Sequence, residues 1–187
     1  MRDGTVNQKR GGVTFESRVI LFTDAHSFSV AFSRLDSEAG FLQDMYQLLG
    51  GVVVAHGGEI VKYLGDGVLC MFAGECEAAA VDCALQMRKT FADLAEGWGL
   101  PSRVELEVGV ASGETGVGEF GHPSLRQRDV IGAAVNLAAR IGHYRGVAVT
   151  EQVRDAIVSE FEVRRLPDLD LRQREEPLKV WEVVSRR

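Results

Sequence analysis

Cysteine is sparse and poorly placed for cross-linking: Cys70, Cys76 and Cys83 are the only three in 187 residues, an odd number without CxxC spacing. That excludes a disulfide framework and a cysteine-built zinc site, and leaves the three as small apolar core residues. The four histidines, His26, His56, His122 and His143, show neither HxxxH nor HExxH spacing, so a zinc enzyme is not indicated. No apolar run approaches the ~20 residues that cross a bilayer, and the polar start MRDGTVNQKR lacks the apolar segment of a signal peptide. Basic charge is not in excess: a net charge of -6 and a pI near 5.3 argue against nucleic acid or an anionic membrane as partner. Repeats, coiled-coil heptads and low-complexity tracts are missing. The expectation is a cytoplasmic chain with no membrane segment. Its 45% hydrophobic content is enough for one cored domain, with residues 1–15 a flexible leader and 16–187 the folded unit.

What the sequence does hold centres on GGEIVKYLGDGVLCMF at 57–72. Two apolar runs, Glu59 to Leu64 and Val68 to Phe72, flank Gly65-Asp66-Gly67, which predicts a β-hairpin with a carboxylate at its tip. Near-continuous apolarity suggests strands buried on both faces, so Lys62 stands out. Taken singly, Asp66 is an ordinary turn residue and Lys62 a lysine reaching for water.

Upstream, RVILFT at 18–23 reads as a short buried strand ending in Asp24, with Ala25-His26-Ser27 leading into a helical turn at Phe28. Asp24 is then either a helix N-cap or a carboxylate placed to hold a phosphate-bearing metal ion. Between Asp36 and His56 the residues Phe41, Met45, Leu48, Leu49 and Val52 recur at helical spacing, and Gly57-Gly58 closes the helix. A second helix runs from Glu75 to Trp98, with Ala84, Met87, Phe91, Leu94 and Trp98 as its core stripe. RVELEVGVAS at 103–112 alternates charged and apolar residues, as a strand with one wet face should. Gly113, Gly118 and Gly121 follow without opening a helix, which rejects a dinucleotide-binding loop.

Ala133 to His143 is the next helix. At 100° per residue Asn136 and Arg140 lie 40° apart on one face, opposite Ala134, Leu137, Ala138 and Ile141. That face is either ordinary solvated surface or a pair of polar groups aimed together. Val147–Thr150 is a brief strand, Thr150 caps a helix to about Ser159, and 161–166 and 178–184 are final strands. The fold class is α+β, helices against a mostly antiparallel sheet.

Four segments taken jointly, LFTDAHSFS at 21–29, GGEIVKYLGDGVLCMF at 57–72, GETGVGEFG at 113–121 and DVIGAAVNLAAR at 129–140, resemble the catalytic domain of the class III nucleotidyl cyclases. The resemblance runs from about Arg18 to Val184, in the family's order and spacing. It implies a ferredoxin-like βααβ sandwich with additional strands, and makes 16–187 the cyclase catalytic domain. It also implies a homodimer whose active sites lie at the interface. Asp24 and Asp66 match the metal-binding aspartates, with the backbone carbonyl of Ala25 a further ligand, and two Mg²⁺ or Mn²⁺ ions per site. Lys62 and Asp129 match the purine-reading pair, Asn136 and Arg140 the transition-state pair. Arg172 falls near the lysine that binds the terminal phosphates, and Ser27 and Phe28 are further substrate contacts. The chain departs from the family pattern at Ala25, Glu114, Arg128 and Gln173.

The resemblance implies cyclisation of a nucleoside triphosphate, and donor chemistry selects the base. Lys62 can only donate and an ionised Asp129 can only accept, which suits adenine N1 and its N6 amine and mismatches guanine. The expected substrate is ATP and the product cyclic AMP. A guanylate cyclase and a catalytically silent nucleotide-binding or regulatory module are the alternatives. A diguanylate cyclase lacks its GGDEF signature here. Regulation is expected from a domain outside this chain.

Overall fold

The computed structural model describes residues 8–10, 12–28, 37–171 and 176–187. Two long strands form its spine. β2 (Val13–His26) pairs antiparallel with β5 (Glu105–His122) from Thr14 opposite Val117 to His26 opposite Glu105. β2 is longer than the apolar run RVILFT because its polar ends also have β5 to pair with. Its start lies within the expected leader: residues 13–15 belong to β2, and β1 (Gln8–Arg10) pairs back onto them.

β2 leads to α1 (Glu38–Ala55), then to the hairpin β3 (Glu59–Leu64) and β4 (Gly67–Ala73), then to α2 (Glu77–Gly97) and β5. The spatial order β3-β4-β2-β5 is the ferredoxin-like split arrangement expected from the sequence. Additional elements extend it: β6 (Leu125–Ile131) folds back on β5, and α3 (Ala133–Ile141) crosses to β7 (Val147–Thr150), parallel to β5. After α4 (Glu151–Ile157), β8 (Phe161–Arg165) and β9 (Val180–Arg186) complete a nine-stranded sheet.

Side chains alternate across a strand, so β2 feeds two cores. Val19 and Leu21 join Phe41, Met45, Leu49, Met87 and Phe91 on the α1/α2 side, while Ile20 packs with Leu69, Met71, Ala134 and Ala138 under α3. On α1 the buried line is Phe41, Met45, Leu49 and Val53; Leu48, expected in it, is 46% exposed. α3 approaches β5 closely because position 109 is glycine: a methyl there would sit 2.0 Å from the carbonyl oxygen of Ala138.

Two expectations are corrected. β4 is buried on both faces, but β3 is an edge strand of exposed and half-buried residues, so Lys62 is not a charge sunk between two cores. Glu107, grouped with a wet face by its alternation, is 3% exposed, because β5 is central and covered on both sides. The cysteines are free, with Cys70 and Cys83 buried and Cys76 half-buried.

Phe41 is fully buried and rings Phe28, Phe91 and Trp98 surround it with centroids 5.3 to 6.3 Å away. Truncating a ring so enclosed loses both its transfer free energy and its contacts. Phe41→Ala is expected to lower unfolding free energy by about 3–5 kcal/mol in urea denaturation.

Candidate active site

Register brings the two candidate aspartates together. β2 and β4 pair antiparallel through Thr23 opposite Val68, so Asp24 follows the last paired position on one strand while Asp66 lies two residues before it on the other. The fully buried Thr23 seals the join: Val68 N–H donates to its Oγ1 at 2.9 Å. Gly67 permits the approach, since a methyl there would stand 2.6 Å from the Thr23 carbonyl oxygen. Gly65 takes φ +65°, the left-handed conformation that a tight turn asks of glycine. The hairpin tip is held from behind, with Tyr46 Oη donating to Gly65 O at 2.7 Å and its ring stacked on Tyr63 at 4.1 Å.

β2 continues two residues past Asp24, which removes the N-cap reading of that residue. Ser27 then turns the chain at φ +59°, a strained conformation for serine of the kind that gathers at functional sites. Asp24, Ala25, Ser27, Phe28 and Asp66 line one cavity of about 510 Å³, together with His26, Glu107 and His143. His26 Nδ1 lies 3.3 Å from Glu107 Oε1, and His143 Nδ1 lies 3.9 Å from Asp24 Oδ2.

The electrostatics are those of crowded carboxylates. Burial pushes the Asp66 carboxyl above its ordinary range; a backbone hydrogen bond pulls it back and the Asp24 charge pushes it up again. Burial likewise raises Glu107, which His26 pulls down and Asp24 pushes up. A divalent cation would reverse these pushes by favouring the charged forms. Hard oxygen donors suit Mg²⁺ or Mn²⁺. Among the described residues no three His, Cys, Asp or Glu side chains cage an ion by themselves, so an ion held by these two aspartates would draw its remaining ligands from outside the chain, as Mg²⁺ commonly does.

The other candidates gather elsewhere. Lys62 Nζ donates to Asp129 Oδ2 at 2.6 Å, linking β3 to β6, while Val130 N–H donates to Oδ1 of the same carboxylate at 2.8 Å. A second pair, Arg128 with Glu59 at 2.5 Å, runs alongside. Asn136 and Arg140 are exposed on α3, whose opposite face buries Ala134, Ala138 and Ile141. None of Lys62, Asp129, Asn136 and Arg140 lines the aspartate cavity. Arg172 lies outside the described residues.

His26, Glu107, His143, Thr23 and Tyr46 were not among the sequence candidates. Only the strand register could have found Glu107, since Asp24 pairs directly with it. A larger cavity of about 770 Å³ between α2 and the start of β5 holds Arg88 and Glu105 already paired with each other.

Comparison with known proteins identifies the family and the fold. The sequence model of the adenylate and guanylate cyclase catalytic domain matches residues 13–183. The terminal-differentiation-specific adenylate cyclase of Dictyostelium discoideum is 25% identical over 97% of this chain, which spans only 9% of that protein's length. The crystal structure of the adenylyl cyclase CyaB from P. aeruginosa superposes with a TM-score of 0.86, covering 94% of this chain and 97% of that one at 23% identity. The guanylyl cyclase Cya2 gives 0.82, with 94% and 95% covered at 24% identity.

Thr23→Val keeps the shape and removes the acceptor of a buried N–H, which costs about 1–3 kcal/mol. The variant is expected to lose that much in urea denaturation and to bind Mn²⁺ more weakly in a titration followed by electron paramagnetic resonance.

Proposed function

The chain belongs to the adenylate and guanylate cyclase catalytic domain family, and from that premise we propose that it is an adenylate cyclase. It would convert ATP to 3′,5′-cyclic AMP and pyrophosphate at sites shared across a homodimer. The single observation that carries the base choice is the 2.6 Å pair between Lys62 and Asp129. With Lys62 facing N1 and Asp129 facing position 6 of the purine, it sets a cation that can only donate and a carboxylate that can only accept, the complement of the adenine edge and the reverse of guanine. These two groups satisfy each other in the free protein, so an incoming base must replace their bond with its own two. A mismatched base would leave both contacts unpaired, which is how a polar site rejects an analogue.

In the reaction the ribose 3′-oxygen forms a bond to the α-phosphorus, the bond to the pyrophosphate oxygen breaks, and the hydroxyl proton leaves to solvent. Asp24 and Asp66, with the Ala25 carbonyl, are the groups to hold two divalent cations. Such ions, when bound, lower the pKa of the attacking hydroxyl and neutralise the phosphates. Arg140 brings planar, permanently charged donors to the charge that builds on the α-phosphate oxygens. Asn136 orients the ribose, and Ser27 and Phe28 border the nucleotide. Arg172 is assigned to the terminal phosphates by its place in the sequence.

The separation of the two residue groups supports a shared site. Asp24 and Asp66 line a cavity that Asn136 and Arg140 do not line, which is consistent with a site that takes its aspartates from one protomer and its α3 face from another. A regulatory domain beyond this chain fits a catalytic unit that spans a small fraction of its longer relative.

Purified protein with Mn²⁺ or Mg²⁺ is expected to produce cyclic AMP from ATP and far less cyclic GMP from GTP. Preferential turnover of GTP would overturn the base assignment, and no cyclic product from either at high protein concentration would favour the silent module. Asp66→Ala and Arg140→Ala are each expected to lower turnover at least a hundredfold. Mixed, they should recover about a quarter of the wild-type rate, since random pairing gives half the dimers one intact site. Proven heterodimers without activity would contradict the shared site.

A further inference from the structure

The β2–β5 register sets Asp24 directly opposite Glu107. Like charges in that position destabilise a sheet, and the side chain of Glu107 is only 5% exposed, so water does little to screen it. His26, 41% exposed, places Nδ1 3.3 Å from Glu107 Oε1, and His143 and Arg145 act on the same carboxylate. Asp66 completes the set, because all three acids line the same cavity. A merely structural residue here could be any apolar neighbour of Leu106 and Val108, and would relieve the repulsion. His26, His143 and Arg145 lower the cost of the Glu107 charge, and a divalent cation in the shared cavity would lower it further.

We infer that Glu107 is a third carboxylate of the divalent-ion site, one that sets the site's charge and makes nucleotide binding conditional on the cation. This rests on one part of the cyclase reading, the assignment of Asp24 and Asp66 to the ions. Asp24 and Asp66 are the direct ligands, and Glu107 acts through the field it adds behind them. With ions absent, three anionic side chains oppose a triphosphate. With two divalent ions bound, the same charge holds the ions in place while they receive the phosphates. Glu107 is thus a specificity-determining residue that selects the metal–nucleotide complex over the free nucleotide.

The test uses Glu107→Gln, which keeps the shape and removes the charge, and reads binding rather than turnover. Mn²⁺ affinity, followed by electron paramagnetic resonance without nucleotide, is expected to weaken about tenfold. Affinity for a fluorescent ATP analogue in excess chelator is expected to tighten by about the same factor. His26→Ala removes the partner and leaves the charge, and should bind Mn²⁺ as well as the wild type or better. Unchanged Mn²⁺ binding in Glu107→Gln would overturn the inference. So would a tenfold loss in His26→Ala, which would assign Glu107 a structural role with its histidine. Because neither readout needs product, a protein that binds as expected yet makes no cyclic nucleotide would contradict the cyclase reading and leave this one standing.

Discussion

Everything in the candidate site depends on how β2 meets β4. Thr23 opposite Val68 is the last paired position, and the hydrogen bond from Val68 N–H to Thr23 Oγ1 closes the ladder where the two aspartates emerge. A slip of one residue would turn every side chain of β4 to the other face and separate Asp66 from Asp24. The buried alternation that prevents such a slip, Val19 and Leu21 to one core and Ile20 to the other, therefore also builds the cavity. Stability and site geometry are one constraint here, enforced by the packing of a strand covered on both faces.

Around that join the protein accumulates charge that folding alone would avoid. Asp24, Asp66 and Glu107 share a cavity, and burial raises two of them. Proteins retain arrangements of this kind where a ligand offsets the repulsion. The opposite holds on the outer surface of β3 and β6, where Lys62–Asp129 and Arg128–Glu59 are mutually satisfied. On the proposed function, one half of the machinery would hold the cations and the other would give up an existing bond to receive a base.

Much of this was legible in the residues themselves. Gly65-Asp66-Gly67 between two apolar runs identified the hairpin, and 100° spacing put Asn136 and Arg140 on one face of α3, as the buried Ala134 and Ala138 confirm. Strand length was not legible: β2 runs to His26 because β5 lies beside it, a tertiary fact that six apolar residues do not encode. The exposure of β3 and of Leu48 was hidden for a related reason, since apolar composition does not say which strand is an edge or how far a helix is covered. Glu107 was hidden most deeply, because alternation assigned it a face and only sheet position showed that both faces were buried. Tyr46 carries no sequence signal at all, as its bond to Gly65 spans 19 residues.

In the proposed dimer, Asp24 and Asp66 of one protomer would hold the divalent ions that a nucleotide bridges to Asn136 and Arg140 of another. The most direct measurement is an anomalous difference map from crystals grown with Mn²⁺ and a non-cyclisable ATP analogue. Two peaks are expected within about 2.0–2.4 Å of oxygens from both carboxylates, with the analogue spanning two chains and its base between Lys62 and Asp129. Peaks distant from either aspartate, or an analogue held by one chain alone, would contradict this arrangement.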